Sequence, residues 1–210
     1  FQDGGLLVMG ANILNMGILT VLVGYGLYRG MAGRGRSVRL AVAGAAAWLS
    51  VMAAALATSL QLWLSGTSAL RFVVPTMLGV HAFIGVGEAL ITVAALAFIM
   101  QTRPDLLEAE PETRGGRGWV VAGLIVALAV VLLAPMASAD PDGLERVAMD
   151  LGFIDQGAAA AYQILPDYSI PVLGETALST ILAGAIGALA VAALTVAAVR
   201  LLRRPARSTS

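Results

Sequence analysis

His81 and Glu88 stand seven residues apart in GVHAFIGVGEALIT (79–92), the chain's single histidine and a carboxylate inside an otherwise apolar stretch. An imidazole nitrogen and a carboxylate oxygen can ligate a divalent cation or hydrogen-bond a neighbouring helix. Seven residues make about two helical turns, so both fall on one face, with Gly85 between them and Thr92 beyond. At 1.5 Å rise their backbones lie about 10 Å apart, too far for direct sharing of one ion whose ligands sit at roughly 2 Å. Gly79, Gly85 and Gly87 remove side chains around this stripe and would let another backbone approach. Asn12 and Asn15, in QDGGLLVMGANILNMGIL (2–19), repeat the theme: three apart on one face, with Gly10 and Gly17 nearby. An amide pair there can bridge helices or line a cavity, and interhelical bonding is the simpler role. For Glu88, helix lock and functional site both stand; for His81, the lock is simpler.

Other chemistries are closed by composition. The basic residues are all arginine, so a GxxxxGK[ST] phosphate loop is impossible; HExxH and GxSxG are also absent. With no cysteine, disulfides, thiolate ligands and thiol catalysis are excluded. Met9, Met16, Met52, Met77 and Met100 are scattered, which argues against a methionine metal relay. Formal net charge is zero and nothing points to nucleic acid.

The elements that must hold the polar stripe are membrane spans. The chain is 59% hydrophobic and 12% charged, with mean hydropathy +0.86, too few charges to solvate a globular surface. Five apolar blocks are long enough to cross a bilayer as helices: Leu6 to Tyr28, Leu40 to Leu64, Gly79 to Met100, Trp119 to Ala139 and Thr176 to Val199. The sequence therefore predicts an all-α polytopic membrane bundle of about five transmembrane helices. Arg29, Arg34, Arg36 and Arg39 follow the first block, Arg103, Arg114 and Arg117 the third, and Arg200, Arg203, Arg204 and Arg207 the fifth. The positive-inside rule puts those three connections and the C-terminus in the cytoplasm of a plasma-membrane protein. Arg34, Arg36 and Arg39 can also meet anionic lipid.

The sequence falls into three parts: 1–100 with three spans, a charged, Pro- and Gly-containing cytoplasmic linker at 101–118, and a two-span hairpin at 119–210. The hairpin carries an extracytoplasmic segment, 140–175, with seven acids and one arginine. Within it Leu144, Val147, Ala148 and Leu151 recur at helical spacing behind Asp142, a natural N-cap, so a short helix plus ordered loop, docked rather than free, is expected. For its acids, solvation of an external face is the simplest account. The chain opens with Phe1, and QDGG runs into an apolar block without a basic signal-peptide start; a missing N-terminal part is the expectation.

DGGLLVMGANILNMGI (3–18) and HAFIGVGEALIT (81–92) together resemble the substrate-specific membrane component of energy-coupling factor transporters for cobalt and nickel. PDGLERVAMDLGF (141–153), LPDYSIP (165–171) and LSTILAGAIGAL (178–189) resemble the small PDGLE-bearing accessory component of the same systems. The resemblance covers almost the whole chain, with both components in order. It implies Co(II) or Ni(II) as transported substrate, no permanently bound cofactor, and no enzymatic activity in this chain. The implied partners are a transmembrane coupling protein and cytoplasmic ATPases, with cobalt supply for cobalamin biosynthesis as one use. It also implies that the principal metal ligands belong to an N-terminus upstream of Phe1, leaving Asn12, His81 and Glu88 as cavity residues or supports beneath the metal. The competing reading is a non-transporting membrane assembly protein whose polar stripes serve helix packing alone.

Overall fold

The computed structural model describes residues 5–31, 33–107, 117–138, 140–157, 165 and 169–202. Their regular structure is helical, and no strand occurs among them. Helix α1 (Gly5–Asn12) runs through a π-helical segment, Ile13–Leu19, into α2 (Thr20–Tyr28); α3 is Arg36–Leu64, α4 Leu70–Thr102, α5 Arg117–Val131, α6 Gly143–Asp150 and α7 Ala177–Leu202. Four helices in the described residues are long and apolar enough to cross a membrane: Val8–Met31, Arg36–Leu64, Leu70–Thr102 and Ala177–Leu202.

The fourth predicted span is corrected. Instead of one helix over 119–139, α5 stops at Val131, and a turn leads into a 3-10 segment, Ala134–Met136. Pro135 supplies the reason, since it has no N–H to offer the carbonyl of Val131. The third span is longer than its apolar core suggested. It starts at Leu70, includes Pro75, and at 1.5 Å per residue its 33 residues extend about 50 Å, past a hydrocarbon layer of about 30 Å.

The chain divides into two compact units. In one, residues 6–112 and 140–160, the burial pattern inverts that of a soluble protein. Ala43, Ala46, Ala55, Ser59 and Asn15 are buried, while Phe83, Leu90 and Ile91 are exposed. Small residues at the seam let helices close on one another where lipid provides no hydrophobic driving force. Gly85 marks the tightest crossing: a Cβ there would lie 3.0 Å from Cδ1 of Trp48, whose indole N–H donates to the Ala82 carbonyl at 3.0 Å. Gly44 repeats this against Val93, whereas Gly79 and Gly87 face open space.

Helix α6 seats on the α3–α4 hairpin at the end that carries the 65–69 turn. Val147, Ala148 and Phe153 join Ala55, Val73 and Met77 in one buried cluster. Both ends of α6 are written into its sequence. Asp142 accepts from the N–H groups of Leu144 and Glu145, each at 2.8 Å, and the Glu145 carboxylate accepts from Asp142 N–H at 3.2 Å, a reciprocal cap. At the other end Gly152 has φ +73°, and the N–H groups of Gly152 and Phe153 donate to the carbonyls of Met149 and Ala148. That left-handed turn closes the helix and swings Phe153 back into the cluster. The expectation of a capped, docked helix holds for 140–157; the 158–164 and 166–168 parts of the predicted loop lie outside the described residues, as does the 108–116 part of the predicted linker.

The other unit contains α5 and α7. Gly184 admits Val131, to whose Cγ1 an added Cβ would come within 3.0 Å. Ser179, fully buried, accepts from Ile170 N–H at 2.6 Å and so ties the SIP stretch to the start of α7.

Candidate functional site

The polar residues singled out by sequence do not meet at one point. His81 is partly buried on α4, and its Nδ1 lies 2.9 Å from the carbonyl of Met77 one turn back. A carbonyl can only accept, so it is Nδ1 that donates here. Nε2 is turned towards α6: a Cβ built on Gly143 would sit 3.0 Å from it, 2.9 Å from Cε1 and 2.8 Å from Cδ1 of Ile84. The glycine of PDGLE is thus the residue that lets the helix start against the imidazole.

Asn15, 5% exposed, belongs to a second cluster. Its Nδ2 donates to Gln61 Oε1 at 2.8 Å and to Thr58 Oγ1 at 3.1 Å, while Gln61 Nε2 returns a bond to Asn15 Oδ1 at 2.9 Å. The two amides therefore satisfy each other across α3. An ideal helix would have put Asn12 and Asn15 on one face; the π-helical turn winds more loosely and re-aims the side chains beyond it. Hydroxyls take up nearby carbonyls, with Thr20 Oγ1 donating to Met16 and Ser50 Oγ to Thr20 at 3.1 Å. Asn12 itself is half-buried at the end of α1. Gln61 and Thr58 went unnoticed in the sequence, although a polar TSLQ run inside an apolar span, three residues apart, was the signal for them.

Glu88 stands apart from both clusters. A carboxylate in a span normally faces the bundle interior, a cavity or a partner; Glu88 is exposed near the middle of α4, with no hydrogen bond or ion pair among the described residues, which leaves a partner as the group to face it. It is not brought to His81, and Gly85 between them points at Trp48 instead. Thr92 lines a shallow groove of about 290 Å³ with Gly24, Tyr28 and Ser50. Among the described residues no group of three or more His, Cys, Asp or Glu side chains is placed to hold a metal ion.

At the opposite end of the hairpin from α6, Arg39 donates to the Tyr28 hydroxyl at 3.0 and 3.2 Å, and Arg36 reaches the Ala97 carbonyl at 3.4 Å. The hairpin thus has Arg36 and Arg39 at one end and α6 at the other.

Residues 1–106 match the family model for the cobalt uptake substrate-specific transmembrane region, CbiM. The chain belongs to the CbiM family. Residues 117–204 of this CbiM-family chain match the PDGLE domain. A fused nickel transport protein, NikMN, from Archaeoglobus fulgidus is 31% identical over 205 residues, covering 97% of the chain and 68% of that protein. A fused nickel transport protein, LarMN, from Lactiplantibacillus plantarum is 32% identical over 146 residues, covering 62% of the chain and 43% of that protein. A metal transport protein of Haloquadratum walsbyi is 34% identical over 109 residues, covering 51% and 49%. The chain therefore spans about two thirds of the first and under half of each of the other two. No solved structure matches it. Like these relatives, the CbiM-family chain is a membrane transport component and not an enzyme.

Proposed function

We propose that this chain is the substrate-capture membrane component of an importer of Ni(II) or Co(II). ATP is hydrolysed on separate cytoplasmic subunits that act through a transmembrane coupling subunit, and cobalt supply for cobalamin biosynthesis is one use of the import. The observation that carries this reading is the seating of α6, from the PDGLE-matched segment, on α4 of the CbiM-matched segment beside the chain's sole histidine. Two components that form one core are built to act on one substrate. Residues 1–100 serve as the capture scaffold, 101–118 as a cytoplasmic linker and 119–210 as the accessory hairpin. Asn12, His81 and Glu88 support the cavity beneath the metal, and Glu88, exposed in mid-span, is the carboxylate that a partner helix must cover.

The test is accumulation of radioactive Ni(II) or Co(II) in cells lacking their own uptake system and expressing the complete gene product with its coupling and ATPase partners. Accumulation above that of cells with inactive ATPase is expected; its absence, with the chain inserted and the ATPase turning over, refutes the proposal. In the same assay Glu88→Gln is expected to lower uptake several-fold at unchanged membrane abundance, because an amide replaces the charge but keeps the size. Uptake equal to the wild type's would reduce Glu88 to a packing residue.

Orientation is tested by labelling. The chain has no cysteine, so Val172→Cys, at a 93% exposed position, and Ser37→Cys, beside the arginines, each introduce a single thiol. An impermeant maleimide applied to intact cells is expected to label the first and spare the second until the membrane is opened. The reverse pattern would invert the topology.

A further inference from the structure

Two polar side chains stand open, one turn apart, on the same wall of α4. Glu88 is one. Thr92 is the other: Thr20, Thr76, Thr102 and Thr195 each donate to the carbonyl four residues back, whereas Thr92 makes no hydrogen bond among the described residues. Four residues apart, the two side chains share a helix face. Thr92 and Leu96 continue that row into the groove of about 290 Å³, which Gly24 of α2 and Ala43, Ala46 and Ala47 of α3 complete. Because α3 packs on both α2 and α4, its alanines form the floor. Small residues of this kind admit another helix closely. Beside the groove stands a carboxylate that lipid cannot solvate. The apolar stretches 8–28, 40–64, 72–102, 118–131 and 177–199 hold no arginine or lysine. Neither these helices nor a second copy of them can therefore offer Glu88 such a cation in mid-span.

We infer that this face of α4 docks a membrane-spanning helix of the coupling subunit, which lies along the groove and presents an arginine or lysine to Glu88 and a polar group to Thr92. The chemistry of the docked helix follows from the groove and the carboxylate; its assignment to the coupling subunit rests on the transport reading above, in which that subunit has to grip this chain within the membrane. Pairing neutralises two charges that lipid would penalise singly. Val73 and Met77, which seat α6, belong to the same helix, so α4 carries the coupling contact and the accessory contact together.

The experiment uses the complete gene product, expressed with its coupling and ATPase partners. Thr92 is replaced by the photocrosslinker benzoylphenylalanine; a second variant carries it in place of the exposed Ile91, which covers the case in which the first fails to fold. Membranes are irradiated and the linked peptide is identified by mass. A link to a transmembrane helix of the coupling subunit, close to an arginine or lysine, is expected. In that background Glu88→Gln should lower the yield about tenfold or more, while Glu88→Asp, which keeps the charge, should retain most of it. Glu88→Arg should abolish the link, and replacing the identified cation by glutamate should restore it. Links to this polypeptide itself, to a second copy or to lipid alone would overturn the docking. A yield indifferent to Glu88→Gln, or no rescue by the exchanged charges, would overturn the pairing. If the uptake assay shows normal import, either failure belongs to this inference alone; a chain that neither imports nor links fails both readings.

Discussion

Val147→Asp is expected to release α6 from the hairpin while leaving the spans inserted. Val147 is completely buried between Ala55, Val73 and Met77 of the hairpin and Phe153 of its own segment. The substitution forfeits about 1.5–3 kcal/mol of apolar burial. It also asks an apolar contact to hold an uncompensated carboxylate, at a cost of about 3–5 kcal/mol. An eight-residue helix cannot offset that from its other contacts, since Leu144 on its surface is exposed and the Arg146–Asp150 pair at 3.3 Å lies in solvent. The carboxylate reaches water most easily if the helix leaves. Amide hydrogen exchange across 144–153 should accelerate about a hundredfold or more, given tenfold per ~1.4 kcal/mol, while the centre of α3 keeps its protection. Unaltered exchange across α6 in an inserted variant would mean that this cluster does not hold the helix.

Asn15→Leu is the second large effect. It deletes one amide of a reciprocal pair and strands Gln61 and Thr58 against an apolar surface. An orphaned polar group in a protein interior costs about 1–3 kcal/mol, and measured interhelical hydrogen bonds in membranes fall towards or below the lower end of that range. A loss of about 1–2 kcal/mol is therefore expected, read from denaturing-detergent titration of the purified chain. Gln61→Leu should cost a similar amount. The double variant should cost clearly less than the sum, because no amide is left unpaired. Strictly additive losses would show that the pair does not couple α3 to the π-helical segment.

What the sequence disclosed was whatever depends on short-range pattern. The cap of α6 was readable because Asp142 and the apolar positions Val147, Ala148 and Leu151 lie within one local signal. Membrane-length helices were readable from apolar length, yet their ends were not. Leu70–Thr102 runs through Arg71 and Pro75, which on hydropathy alone looked like connection, and α5 yields at Val131 to a proline four residues further on. Side-chain direction was lost at the π-helical segment, where a regular 3.6-residue count no longer applies, so Asn15 was seen but its partner Gln61 was not. The close approach of Gly143 to His81, where an added Cβ would clash with the ring, joins residues 62 positions apart and has no local signature. Glu88 was marked as anomalous from its place in an apolar span, but what lies opposite it was not readable; periodicity gives the face a residue occupies on its helix, not what lies opposite that face.

The self-contained ends of α6 bear on how its segment needs to be delivered. A helix that encodes its own start and stop within about a dozen residues needs its seat on the hairpin to persist but takes little from the flanking chain, so the tether contributes mainly effective concentration. With the two family-matched regions on separate polypeptides, the same seating would become a bimolecular equilibrium, sensitive to expression level and dilution in the bilayer. Joined in one chain, it proceeds at a fixed stoichiometry of one to one.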